Sequence, residues 1–136
     1  MLLKKLNQIN NILIELIKIT DEDIANIKEA NHEAVFKNIS LKETKAKEFS
    51  LLKSEIDSIL VSRNRPIEEI FTPQEEIEFE KFKELLNEFN NKHKFFSKLS
   101  FSVTNFYNTL LEKIKNKKKI TYSKDDIQTP YMKLKA

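Results

Sequence analysis

The chain of 136 residues contains no glycine, no cysteine and no tryptophan, and it has only two histidines and three prolines. Average usage would place roughly nine or ten glycines in a chain of this length. Their absence excludes a phosphate-cradling P-loop, a Gly-x-Gly dinucleotide turn and a nucleophile elbow. Each of those needs a residue without Cβ where the backbone bends tightly or approaches a ligand. Without cysteine and with two histidines, the usual ligands for zinc and iron-sulfur clusters are missing, and disulfides cannot form. No metal site or cofactor is therefore expected. No catalytic constellation emerges either: the acidic clusters Asp21-Glu22-Asp23 and Glu75-Glu76 read as a solvated face and as helix N-terminal charges, so the chain is not expected to be an enzyme.

Long hydrophobic runs are also missing. The longest uncharged stretch, Leu99 to Leu111, has thirteen residues and includes Ser, Thr and Asn, against the roughly 20 apolar residues that span a bilayer. The opening Met1-Leu2-Leu3-Lys4-Lys5 resembles the charged start of an export signal, but Asn7, Gln8, Asn10, Asn11 and Glu15 interrupt what would be its apolar region. A cytoplasmic protein without stable membrane insertion is expected.

What is present suits a helical fold. Hydrophobic residues make up 40% and charged residues 33%, above the disordered regime. Apolar residues recur at helical spacing from about Leu2 to Phe36, predicting a first helix through Leu3, Leu6, Leu13, Ile17, Ile24, Ile27 and Ala34. Ser40 and Glu43 form a Ser-x-x-Glu capping pattern that predicts a second helix starting there and ending near Ser62, ahead of Asn64-Arg65-Pro66. Arg63 to Phe71 reads as a loop with one helical turn around Ile67 to Ile70. Thr72-Pro73-Gln74-Glu75 combines a hydroxyl cap, a proline at the first helical position and a reciprocating glutamate, so a third helix begins at Pro73.

That third helix carries a heptad series: Phe79, Phe82, Leu86, Phe89, His93, Phe96, Ser100, Val103, Tyr107, Leu110 and Ile114 alternate by three and four. It is expected to run to about Lys115, roughly 60 Å, with His93 as a polar core interruption that helps fix register. Because helices one and two together match its length, the economical fold lays both antiparallel along it. The expectation is an all-α, elongated antiparallel three-helix coiled coil or hairpin, with a helical domain over residues 1–115 and a flexible basic tail over 116–136. His32 reads as a surface residue near the end of helix one.

Charge is uneven along the chain. Residues 112–136 hold eight lysines and three carboxylates, net +5, while residues 1–111 hold sixteen Lys/Arg against eighteen Asp/Glu, net −2. A lysine-rich helix end complements the macrodipole and aids solubility; without an extended basic face or interleaved stacking aromatics, no nucleic acid partner is expected. The C-terminal half of helix three also carries more apolar residues than one stripe needs: Phe95, Phe96, Leu99, Phe101, Val103, Phe106, Tyr107, Leu110 and Leu111. Two uses stay open at this level: a groove for a helical partner, or burial against helices one and two or a second copy of the chain, as in a self-associating structural coiled coil or adaptor.

Several segments together resemble the FlgN-like flagellar export chaperones. They are Asn38-Ile39-Ser40-Leu41 leading into Lys47-Glu48-Phe49-Ser50-Leu51-Leu52, and Val103-Thr104-Asn105-Phe106-Tyr107-Asn108-Thr109-Leu110-Leu111 followed by a basic segment and Thr121-Tyr122. Where that family's tails often have glycine after the tyrosine, this chain has Ser123. The resemblance implies a chaperone that binds the C-terminal helical segment of flagellar hook-associated (hook-filament junction) proteins, prevents their premature assembly and delivers them to the export gate. It places the substrate surface on Phe95, Phe96, Leu99, Val103, Phe106, Tyr107 and Leu110, and the gate contact on Tyr122. A monomer or weak homodimer is expected.

Overall fold

The computed structural model describes residues 1–118. It is all-α, with helices α1 (Leu2–Lys28), α2 (His32–Arg63) and α3 (Pro73–Lys118), and one short 3₁₀ turn, Ile67–Glu69, in the loop before α3. At 1.5 Å per residue the 27, 32 and 46 residues of the three helices correspond to roughly 40, 48 and 69 Å.

The first chain reversal is earlier than the capping pattern predicts. α1 ends at Lys28, and Ala30 takes φ 61°. The amide of Asn31 donates to the carbonyl of Asn26, and that of Ala30 to Ile27. This pair of bonds is a Schellman closure, a motif that normally places glycine at the left-handed position. Helix two therefore starts at His32, and Ser40 lies within it, its carbonyl accepting from the Thr44 hydroxyl rather than its side chain capping a helix. The expected single helix from Leu2 to Phe36 is two helices, because the three-residue break carries neither of the usual markers, glycine or proline.

The second reversal follows the sequence reading. α2 stops at Arg63 with Asn64 in the left-handed region, a conformation asparagine tolerates better than most residues. The Glu75 amide donates to Thr72 Oγ1 and the Thr72 amide donates to a Glu75 carboxylate oxygen, completing the reciprocal cap.

The helices run up, down and up. Glu15 pairs with Lys45 and Asp23 with Lys42, so α2 is antiparallel to α1. Asn10 meets Glu78, Asp21 meets Lys92 and Ile27 lies beside Val103, so α3 runs parallel to α1. Helices one and two are thus side by side, not end to end along α3 as their summed lengths suggest. α1 is the central element: it packs closely on both neighbours, whereas α2 and α3 meet mainly through long side chains such as Phe49 stacked on Phe82. The reason lies in its apolar width. Leu2, Leu6, Ile9, Ile12, Leu13, Leu16, Ile17, Ile19 and Ile27 are all buried, a band broad enough to face two partners. The heptad seam of α3 is, by contrast, half-buried along most of its length, and His93 on it is exposed. No helix of the described residues is long and apolar enough to cross a membrane.

Polar groups within this interface set the alignment. Buried Asp23 accepts from Asn38 Nδ2 and Lys42 Nζ, each at 2.8 Å, and the same ammonium sits 3.9 Å above the Phe96 ring. One carboxylate so links α1 to α2, and through the lysine to α3. The expectation of a fully solvated Asp21-Glu22-Asp23 face fails at its third member. Buried Asn10 donates to the backbone carbonyl and the carboxylate of Glu78, holding α1 in register on α3 as a polar seam residue does.

Candidate partner-binding surface

α3 outruns the hairpin formed by α1 and α2. α1 terminates beside Phe95, with Lys28 Nζ 5.6 Å from that ring's centroid. α2 begins beside Tyr107, whose ring stands edge-on to His32 at 6.1 Å. From Asn108 to Lys118 the helix continues for another eleven residues, roughly 16 Å.

The seven residues expected to form a partner surface divide into two sets. Phe96, Leu99 and Val103 pack on the buried pair Ile27 and Val35, beside Phe36. They close the end of the bundle and act as core. Phe95, Phe106 and Leu110 are exposed, at 47%, 63% and 41%, and Ile114 continues the line at 38%. Tyr107 is half-buried between the two sets, edge-on to both His32 and Phe106. Phe95, Leu99, Phe106, Leu110 and Ile114 follow one another at steps of four, seven, four and four, the spacing of one helix face. The packed and exposed sets are adjacent sides of one helix. Tyr122, the expected gate contact, lies outside the described residues.

Where α1 stops, the step in the surface forms a shallow cavity of about 280 Å³. Ile27 and Ala30 bound it on one side, His32 on another, and Val103, Phe106 and Tyr107 along α3. The floor is apolar and its mouth is bordered by the exposed ring of Phe106. His32 is a residue the sequence reading missed: expected at the surface near the end of helix one, it is buried in the first turn of α2. Burial holds its pKa below the ordinary 6.5, so the imidazole is neutral at neutral pH. His93, exposed as a residue, is also held low, by partial desolvation of its ring first and by the nearby Lys42 ammonium second, and is stacked on Phe89. Neither histidine has the company of a metal site: among the described residues no group of three or more His, Asp and Glu could hold an ion.

A second, smaller hollow of about 150 Å³ lies where α2 and α3 diverge over α1, lined by Leu13, Leu16, Ala46, Phe49, Leu86 and Phe89. It belongs to the bundle's incomplete packing. The C-terminal cavity differs in adjoining the exposed apolar side chains Phe106, Leu110 and Ile114.

Compared with protein-family models, with curated proteins and with solved structures, the chain shows no match.

Proposed function

We propose that the chain is a non-enzymatic export chaperone of the flagellar type, acting in the cytoplasm. It binds the C-terminal helical segment of hook-associated proteins, keeps that segment from assembling early, and hands it to the export gate through the tail that carries Tyr122. The observation that carries the binding role is the exposed stripe Phe95, Phe106, Leu110 and Ile114 beside the cavity at the end of α1. A bound helix laid there continues the line of α1 along α3 and completes a bundle that α1 leaves unfinished. Recognition of this kind uses apolar anchors one turn apart on a helix face, and Phe106, Leu110 and Ile114 stand at successive steps of four. The identity of the partner rests on the sequence resemblance, and nucleic acid and membrane have no part in the reading.

Size-exclusion chromatography with light scattering, on the purified chain alone and mixed with C-terminal peptides of hook-associated proteins, tests it. A monomer or weak dimer that forms a stoichiometric complex is expected. A stable homo-oligomer indifferent to every such peptide would sink the proposal and favour a self-associating coiled coil.

A further inference from the structure

The lysines around the stripe are not among those whose ion pairs join the helices. α3 is electrically polarised: residues 73–93 carry six carboxylates and three lysines, net −3, and residues 94–116 carry four lysines and one carboxylate, net +3. Lys113 and Lys115 lie near the helix C-terminus, where cations complement the macrodipole. That effect is confined to the last turn, so it does not reach Lys94 and Lys98, about twenty residues before the end. These two stand four apart, a like-charge pairing that slightly destabilises a helix. Among the described residues, Lys94, Lys98 and Lys113 make no ion pair. The ion pairs that join helices are made by other lysines: Lys92 reaches Asp21 at 2.7 Å, Lys45 reaches Glu15 at 2.6 Å and Lys42 reaches Asp23 at 2.8 Å.

Position explains what the fold does not. Lys98 and Lys113 fall three residues after Phe95 and Leu110, on neighbouring turns of the same side. Lys28, at the end of α1, stands over the Phe95 ring. The exposed apolar stripe is therefore edged by ammonium groups.

We propose that the occupant of this surface is an amphipathic helix whose apolar face is flanked by carboxylates, the carboxylates meeting Lys28, Lys98 and Lys113. This deepens the reading of the stripe as a docking surface and rests on it. An anionic membrane would satisfy the same charges, but the exposed apolar side chains follow one helix face and adjoin a cavity of about 280 Å³ between His32 and Phe106, an arrangement that suits a helix with projecting side chains. Charge complementarity of this kind sets specificity and encounter rate more than affinity at high salt.

The test uses the full chain and two designed, fluorescently labelled helical peptides that share one apolar Leu/Phe heptad stripe and differ only at the flanking positions, Glu in one and Lys in the other. In anisotropy titrations at low salt the Glu-flanked peptide is expected to bind about tenfold more tightly than the Lys-flanked one, with the gap narrowing as salt is raised. The double variant Lys98→Glu, Lys113→Glu, with unchanged helical circular dichroism, is expected to reverse the preference. Equal binding of both peptides would overturn the charge inference and leave the docking surface standing. Binding of neither would overturn both. Binding to phosphatidylserine vesicles with no affinity for either peptide would assign the lysines to lipid and overturn the proposal.

Discussion

Ala30 holds the left-handed conformation on which the α1–α2 reversal turns, with φ 61° and its amide bonded to the Ile27 carbonyl. A Cβ in that region costs about 1 kcal/mol relative to glycine. Ala30→Gly is therefore expected to raise stability by about 1 kcal/mol, read as a higher midpoint in urea unfolding with an unchanged slope; a lower midpoint would mean that the closure is not strained. Glu75 presents the opposite case, a residue already well matched. Arg63 grips its carboxylate through two nitrogens at 2.6 and 2.8 Å and also donates to the Ile70 carbonyl. The guanidinium, first, and then the Thr72 amide hold the pKa down to about 2 from the ordinary 4.5. A depressed carboxyl pKa contributes stability above the unfolded value and loses it as pH falls through the folded one. The contribution is therefore whole above about pH 4.5 and gone below about pH 2. Glu75→Gln is expected to lower stability at pH 7 by about 2 kcal/mol and to converge with the parent chain near pH 2. Thermal melts at the two pH values decide it.

Helix α3 separates two jobs that its sequence merges. Val103 packs on Ile27 and Val35, whereas Phe106, less than one turn on, is mostly exposed. Val103→Asp is expected to destabilise the fold by about 3 kcal/mol, because it buries a charge with no partner. Phe106→Asp should leave the thermal midpoint nearly unchanged and abolish binding of an amphipathic helical peptide. Equal loss of stability in both variants would place Phe106 in the core. This separation was invisible in the heptad pattern, since the pattern marks apolar positions and not how far neighbouring helices extend. The same reason explains which elements could be read. The Thr72-Pro73-Gln74-Glu75 cap and the Asn64-Arg65-Pro66 stop are local chemistry and appear where expected. The turn at Glu29 to Asn31 is local too, but Ala30 does there what glycine usually does, and nothing in the residue types announces it. The central place of α1, the parallel run of α1 and α3, and the burial of His32 and Asp23 are tertiary outcomes. They depend on α1 having the broadest apolar face, which outweighs the longer but narrower seam of α3.

For the whole molecule, the polarity of α3 and its excess length act together. One end of the molecule is closed by the Arg63–Glu75 clamp and the aromatic cluster of Phe71, Phe79 and Phe82. The other tapers to a single helix carrying exposed apolar side chains and surplus lysine. A shape of this kind has a measurable size. A rod as long as α3, roughly 69 Å, has a radius of gyration of about 20 Å, against about 14 Å for a compact domain of the same chain length. Small-angle scattering at low concentration should give a value near the larger figure. A value near the smaller one would mean that α3 bends back on the hairpin, hiding Phe106 and Leu110 and removing the proposed docking surface. Adding a helical partner that continues α1 along the overhang should thicken the tapered end without lengthening the particle. The cross-section should then rise while the maximum dimension stays within a few ångströms of its free value, a signature that an end-to-end dimer cannot produce.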